Sequence, residues 1–330
     1  MPMLKLRGIC WVITDHAAGN QRQALALAER LGMPVRHIVL EPQAPWSWLA
    51  PRLTLGDALA LPKSQRHLFV PPWPSVVIGC GRSAALFTRM LRQLSRGTCH
   101  TVQILDPRID PNHWDTVIAP RHDELNGANV LQTMGSLNPI DEAWLQDGRD
   151  AASPLGELPG PRTGVLIGGP RRDVKFDDTY LKQLIAQLTA RHRQEGGSLM
   201  VLASRRTPPA MMQGLREAFE GTPGLVWSGR DDGLNPYHGV LGWADRLVVT
   251  PDSVNMLSEA CAVGCAVHTL VIRELPRRLR HFHQTLREAG LLHDLLADAP
   301  VRQPSLHETA DIAQTLCRRI EASQQKLTQG

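Results

Sequence analysis

The chain reads as an α/β protein made of two doubly wound parallel-sheet domains, on three observations. Short apolar runs recur along it with amphipathic stretches between, as buried parallel strands and their covering helices require. Its 330 residues give room for about two domains of ordinary size. A stretch rich in glycine and proline and without periodicity, 147–162, separates two such series.

In the first series, residues 9–13 are a strand, 14–20 a polar loop, 21–31 an amphipathic helix closed by Gly32, and 35–40 a second strand. This βαβ opening predicts a parallel sheet. Residues 41–74 break the pattern. They are proline-rich, carry Trp46, Trp48 and Trp73, and form a long irregular insert of the kind that usually serves function or contact. Strands follow at 76–78, 101–105, 116–118 and 129–132, with a helix from the turn at 79–84 to Leu94. The second series places strands at 164–167, 198–203, 225–227, 246–250 and 266–271, alternating with helices at 178–193, 209–219, 237–243 and 276–289. The expected domains are 1–150 and 160–330. The last amphipathic stretch, 306–320, is a helix able to pack on either of them.

Bulk properties narrow the function. The composition is 42% hydrophobic and 21% charged, that of a globular protein with a real core. A formal charge of +4 suits an anionic ligand or an acidic membrane surface and is too small to indicate nucleic-acid binding. No apolar run approaches the ~20 residues of a membrane span. The first 14 residues run too quickly into a polar turn to be a signal peptide. A cytoplasmic protein, with peripheral contact on the inner face of a membrane as an option, is the expectation. The six cysteines contain no CxxC, and Cys261 and Cys265 read as small core residues. No HExxH, GxSxG, Walker A or kinase motif occurs, and no protein-bound metal or covalently held cofactor is expected.

The chemistry concentrates in loops that leave strands at one sheet edge. In the second series these are Gly168-Gly169-Pro-Arg171-Arg172, Ser204-Arg205-Arg206-Thr207 and Thr250-Pro-Asp252-Ser253. Glycines allow close backbone approach, arginines offset phosphate charge, and Asp252 or Ser253 can cap the helix that Gly264 ends. A helix start at the carboxyl end of a parallel strand is a ready anion site. Met256 and Glu259, spaced by three, share a helix face, and Glu259 can accept from a ribose diol one turn beyond the phosphate end. Each loop alone is equally well a solvated turn, and Glu259 an exposed helix glutamate. Converging, they predict a pocket for a nucleotide diphosphate sugar.

In the first series, Asp15 or His16 can act as general base on an acceptor hydroxyl, and Gly19 and Asn20 stand at a helix N-terminus. Gly81, Arg82 and Ser83 form a similar strand-to-helix turn, which is not GxGxxG because Ala84 holds the last position. His122 or Asp123 is a further catalytic candidate, with an ordinary loop as the alternative. Trp46 and Trp48 either touch a membrane or lipid-linked acceptor or close the core of the insert.

The runs Ile13-Thr-Asp-His-Ala-Ala-Gly-Asn-Gln-Arg-Gln-Ala24, Gly79-Cys-Gly-Arg-Ser83, His122-Asp123, Gly135-Ser-Leu-Asn138, Leu166-Ile-Gly-Gly-Pro170 and Thr250-Pro-Asp-Ser253 resemble the Elm-type mitochondrial-fission family over nearly the whole chain. Residues 164–271 also resemble the donor domain of GT-B glycosyltransferases, with the N-acetylglucosaminyltransferase that acts on lipid-linked peptidoglycan precursor as an analogue. The fuller glycine-rich signatures of that superfamily are absent. The resemblance implies two Rossmann-like domains facing a cleft. It also implies metal-independent transfer of a sugar from a nucleotide donor to an envelope or lipid-linked acceptor. A sugar-nucleotide epimerase on the same fold, or a non-catalytic membrane adaptor, is the alternative.

Overall fold

The computed structural model describes residues 6–53, 56–171 and 174–329. The first five residues of the N-terminal segment and Arg172 therefore lie outside the described residues. The chain divides into two compact units, 1–139 with 308–330, and 140–307.

The first unit holds six parallel strands: β1 (Cys10–Thr14), β2 (Val35–Val39), β3 (Val76–Cys80), β4 (His100–Ile104), β5 (Thr116–Pro120) and β6 (Val130–Thr133). Their order across the sheet is β2-β1-β3-β4-β5-β6. Strands β1, β3 and β5 are buried along their whole length, which is why they appear in the sequence as mostly continuous apolar runs, and β4 is equally buried although it carries His100, Thr101 and Gln103. Helix α1 (Ala18–Glu29) begins three residues earlier than its apolar periodicity indicates, so Gly19 and Asn20 lie in its first turn. The insert is more ordered than its composition suggests. It contains the short helix α2 (Trp46–Leu49) and two 3-10 turns, and Ala50, Ala60, Leu61, Leu68 and Phe69 join the core beneath helix α3 (Arg82–Leu94). Trp46 and Trp73 pack against that core, whereas Trp48 is 73% exposed.

The second unit opens with a difference from the sequence reading. Helix α4 (Glu142–Ala151) and a 3-10 turn occupy much of the stretch expected to be a linker. Gly148, inside that stretch, is a point of close approach to helix α7 (Tyr237–Trp243). A Cβ there would stand 2.5 Å from the His238 carbonyl oxygen, and the Trp144 and His238 rings lie 3.8 Å apart. The sheet comprises β7 (Arg162–Ile167), β8 (Ser198–Ala203), β9 (Gly224–Trp227), β10 (Arg246–Val249), β11 (Ala266–Thr269) and β12 (His293–Asp294), all parallel, in the order β12-β11-β10-β7-β8-β9. Helices α5 (Asp178–Glu195), α6 (Pro209–Ala218), α8 (Val254–Val263) and α9 (Arg277–Glu288) alternate with them.

The final helix, α10 (Glu308–Gln329), belongs to the first unit. Ile312, Ala313, Leu316 and Ile320 join the core formed by Ala24, Leu27 and Leu31. Its first turn is anchored by the Glu308 carboxylate, which accepts from the backbone N–H groups of Met134 (2.7 Å) and Gly135 (2.9 Å). Thr309 Oγ1 accepts from Asn138 N and donates to Asn138 O. The motif Gly135-Ser-Leu-Asn138 is thus the seat of this helix. No helix among the described residues is long and apolar enough to cross a membrane.

Candidate functional site

Both sheets reverse their direction of winding once. In the first the reversal falls between β1 and β3, and in the second between β7 and β10. Loops leaving the carboxyl ends of such neighbouring strands diverge to opposite faces of the sheet and leave a crevice where α/β proteins hold ligands.

In the second unit the three sequence-nominated loops meet at that point in one hydrogen-bonded clasp. Asp252 is its centre and is fully buried. Its Oδ2 accepts from Arg206 Nη2 at 2.8 Å and from Gly169 N at 3.3 Å, and its Oδ1 accepts from Thr250 Oγ1 at 2.8 Å. Thr250 Oγ1 in turn accepts from Gly168 N at 2.7 Å. Arg206 Nη1 reaches Gly169 O, and Thr207 Oγ1 contacts Ile167 O and Gly168 O while accepting from Ser204 N. Loops β7, β8 and β10 are therefore tied by a charge-assisted network rather than by apolar packing.

The clasp explains the glycines differently from the sequence reading. A Cβ on Gly168 would lie 2.0 Å from Asp252 Oδ1, and one on Gly169 would lie 2.1 Å from Arg206 O. The space beside each α-carbon is filled by the protein itself. Arg206 likewise faces Asp252, which offsets its charge. Arg205 and Arg171 are exposed at the same edge. Desolvation by the surrounding loops, and then the neighbouring Arg206, pull the Arg171 guanidinium below its ordinary pKa although its outer edge is exposed, with Asp252 acting in the opposite sense.

Ser253, rather than Asp252, is the N-cap of α8, accepting from Met256 N at 3.3 Å, and Gly264 closes the helix with φ +86°. Glu259 lies one turn beyond, 4% exposed, and accepts the Tyr237 hydroxyl proton. Tyr237 escaped the sequence reading because nothing local links α7 to α8. His283 on α9 supports the turn from behind, with Nε2 2.9 Å from Pro251 O. That contact fixes the proton on Nε2, and burial pushes the ring's pKa down to about 4.

In the first unit, Asp15, Asn20 and Gly81 come together across the β1/β3 reversal. Asn20 Nδ2 donates to both Asp15 oxygens, at 3.0 and 3.1 Å, and Asp15 Oδ1 also accepts from Ala17 N. Gly81 has φ +86°, and a Cβ there would lie 2.6 Å from Asn20 Nδ2, so both conformation and space require glycine. Buried Gln103 holds this turn by donating to Gly81 O and Ile104 O, a role its lone position in a strand did not reveal. His16 is exposed, Gly19 and Ser83 are half-buried, and Arg82 donates to Ser47 O at 2.7 Å. His122 and Asp123 do not join this group. They follow β5, three strand spacings or about 14 Å from β1, and contact each other at 3.5 Å with side chains 9% and 3% exposed. The loops after β4 and β5 hold Leu105, Arg108 and Glu124 at φ between 57° and 72°, a local concentration of backbone strain at the same edge.

Among the described residues no three histidine, cysteine, aspartate or glutamate side chains converge as a metal site. Burial pushes the Cys261 thiol well above its ordinary range and Cys265 up to about 12.

Solved structures of this fold include MurG of Acinetobacter baumannii (TM-score 0.51, 11% identity, covering 98% of this chain and 95% of that one). The UDP-GlcNAc 2-epimerase of Methanocaldococcus jannaschii matches with a TM-score of 0.52 at 10% identity, covering 94% and 99%. The chain thus has the GT-B-like fold of glycosyltransferases and epimerases. In sequence it is 28% identical over 296 residues to the mitochondrial fission protein ELM1 of Arabidopsis thaliana, covering 81% of this chain and 69% of that protein. It is 25% identical over 290 residues to an uncharacterised protein of Rickettsia prowazekii, covering 77% and 80%. Residues 18–320 match the profile of the family described as Mitochondrial fission ELM1, and the chain belongs to that family.

Proposed function

We propose that this chain binds a nucleotide diphosphate sugar at the β7/β10 reversal of its second unit and transfers the sugar to an envelope or lipid-linked acceptor. The observation that carries the reading is the clasp. Three loops with the residues of phosphate chemistry meet at the topological point where α/β proteins hold nucleotides, beside a capped helix N-terminus and the exposed cation Arg205. A 2-epimerase of the same fold has been solved with UDP-GlcNAc and UDP, with a TM-score of 0.51 to this chain.

On this reading Gly168 and Gly169 shape the rim, and the α8 dipole with Arg171 and Arg205 attracts the diphosphate. Glu259, which accepts from the Tyr237 hydroxyl, is the carboxylate offered to the ribose diol. The acceptor hydroxyl forms a bond to the anomeric carbon as the bond from that carbon to the diphosphate oxygen breaks. A general base takes the hydroxyl proton, and the diphosphate leaves with its charge offset by the cations and the helix dipole, with no metal required. An epimerase needs no acceptor, and the same donor pocket would serve it.

Isothermal titration against uridine, guanosine, cytidine and thymidine diphosphates tests the binding step. Heat with one base, reduced in Glu259→Gln, supports the reading, and no heat with any of the four overturns it. Turnover without added acceptor would assign the epimerase chemistry instead.

A further inference from the structure

The α2 corner of the first unit presents an apolar tip on a cationic base. Trp46 faces inward to the core while Trp48 (73% exposed) and Leu49 (48%) face out. Leu59 (53% exposed) lies beside Trp46 at the same corner, since Trp46 Cζ2 and Leu59 Cδ1 lie 3.4 and 4.0 Å from the point where a Cβ of Gly56 would stand. Three arginines surround the helix. Arg82 Nη2 donates to Ser47 O (2.7 Å), Arg89 Nη1 to Pro51 O (2.9 Å), and Arg52 Nη2 to Arg108 O (3.2 Å). Each donates to a backbone carbonyl, and among the described residues none of the three is paired with a carboxylate. The carboxylates paired in this region, Asp106 and Asp115, face Arg108 and Arg92.

We infer that this corner docks on an anionic lipid bilayer. Tryptophan is the side chain best suited to the boundary between headgroup and acyl chain, and arginines beside it supply attraction to acidic headgroups. Three outward apolar side chains are far short of the ~800 Å² per partner that a stable protein interface requires, but they suffice for shallow insertion. Because Arg82 ties α2 to the first residue of α3, the surface adjoins the turn that holds Asp15, Asn20 and Gly81. A lipid-linked substrate would arrive at that end of the unit. The inference does not depend on the donor reading, since docking needs no nucleotide.

Vesicle flotation of the full chain, without nucleotide, is the test, using phosphatidylcholine alone and phosphatidylcholine mixed with phosphatidylglycerol. The chain should float with the mixed vesicles only, and less as salt rises. Trp48→Ala should lower the partition about tenfold, and Arg52→Gln about fivefold. Both side chains point to solvent, so thermal melting by circular dichroism should be unchanged and a folding defect is distinguishable. Failure of the wild type to float with mixed vesicles overturns the inference, as does flotation unaffected by Trp48→Ala. A concentration-dependent dimer that Trp48→Ala abolishes, with no flotation, would assign the corner to a second copy and overturn it as well.

Discussion

Removing the Asp252 carboxylate should unfasten the second unit before it does anything to chemistry. Asp252 is fully buried and takes hydrogen bonds from three loops. In Asp252→Ala, Gly169 N loses its acceptor inside the protein, which costs about 1–3 kcal/mol. The charge-assisted bond to Arg206 is worth about 1.5–3 kcal/mol, of which the lower end applies because Arg206 is 38% exposed and can rehydrate. Together these give about 2.5–4.5 kcal/mol. Asp252→Asn keeps the shape and one acceptor oxygen and should cost about 1–2 kcal/mol. Urea unfolding read by hydrogen exchange in β7, β8 and β10 isolates the second unit, and the alanine midpoint should fall by about 1–2 M. A wild-type midpoint in Asp252→Ala, accompanied by lost nucleotide heat, would refute this reasoning. It would mean that the carboxylate is aimed at a ligand rather than at its neighbours.

Gly168→Ala should destabilise the same unit, because its Cβ would collide with Asp252 Oδ1. Its cost should shrink in the Asp252→Ala background, so a double-mutant cycle should be strongly non-additive. His268 and His283 are buried, and burial lowers both from 6.5 to about 4. The unfolded chain therefore binds protons below pH 6.5 that the folded one refuses. Stability should be full above pH 6.5 and fall as pH drops toward 4, by up to about 3 kcal/mol per histidine. Urea midpoints measured across that range check it, and a flat profile would contradict it. Leu316→Ala on α10 should cost about 2–5 kcal/mol, seen as a lower melting temperature, since the side chain is fully buried in the first unit's core. Glu259→Gln should weaken nucleotide binding about tenfold by calorimetry while leaving α8 intact, through loss of a charge-assisted acceptor.

Much of the fold could be read in advance because parallel strands buried on both faces leave unbroken apolar runs, as in Val76-Val-Ile78 and Ser198–Ala203. Strand order is not written that way. Nothing local in the turn after Ile13 or in Gly168-Gly169 reveals that each borders a reversal of winding, although both carry the residues of ligand chemistry. The clasp was illegible for the same reason. Asp252 and Arg206 are 46 residues apart, and a turn aspartate looks like a cap until its partner is seen. The stretch 147–162 shows the opposite case, where Gly148 in an expected linker lets two helices touch. Trp46, Trp48 and Trp73 share one composition signal but two environments, which only the packing separates.

The seating of α10 on residues 134–138 also has a consequence for biosynthesis. While the chain emerges from the ribosome, the first unit has all six of its strands by residue 133, yet the face made by Ala24, Leu27 and Leu31 stays uncovered until residues 308–320 have been translated. The second unit can reach its native state earlier, since all of its residues precede that helix. The unit begun first is finished last, and in the interval its open apolar seam is the part of the nascent protein most in need of a chaperone.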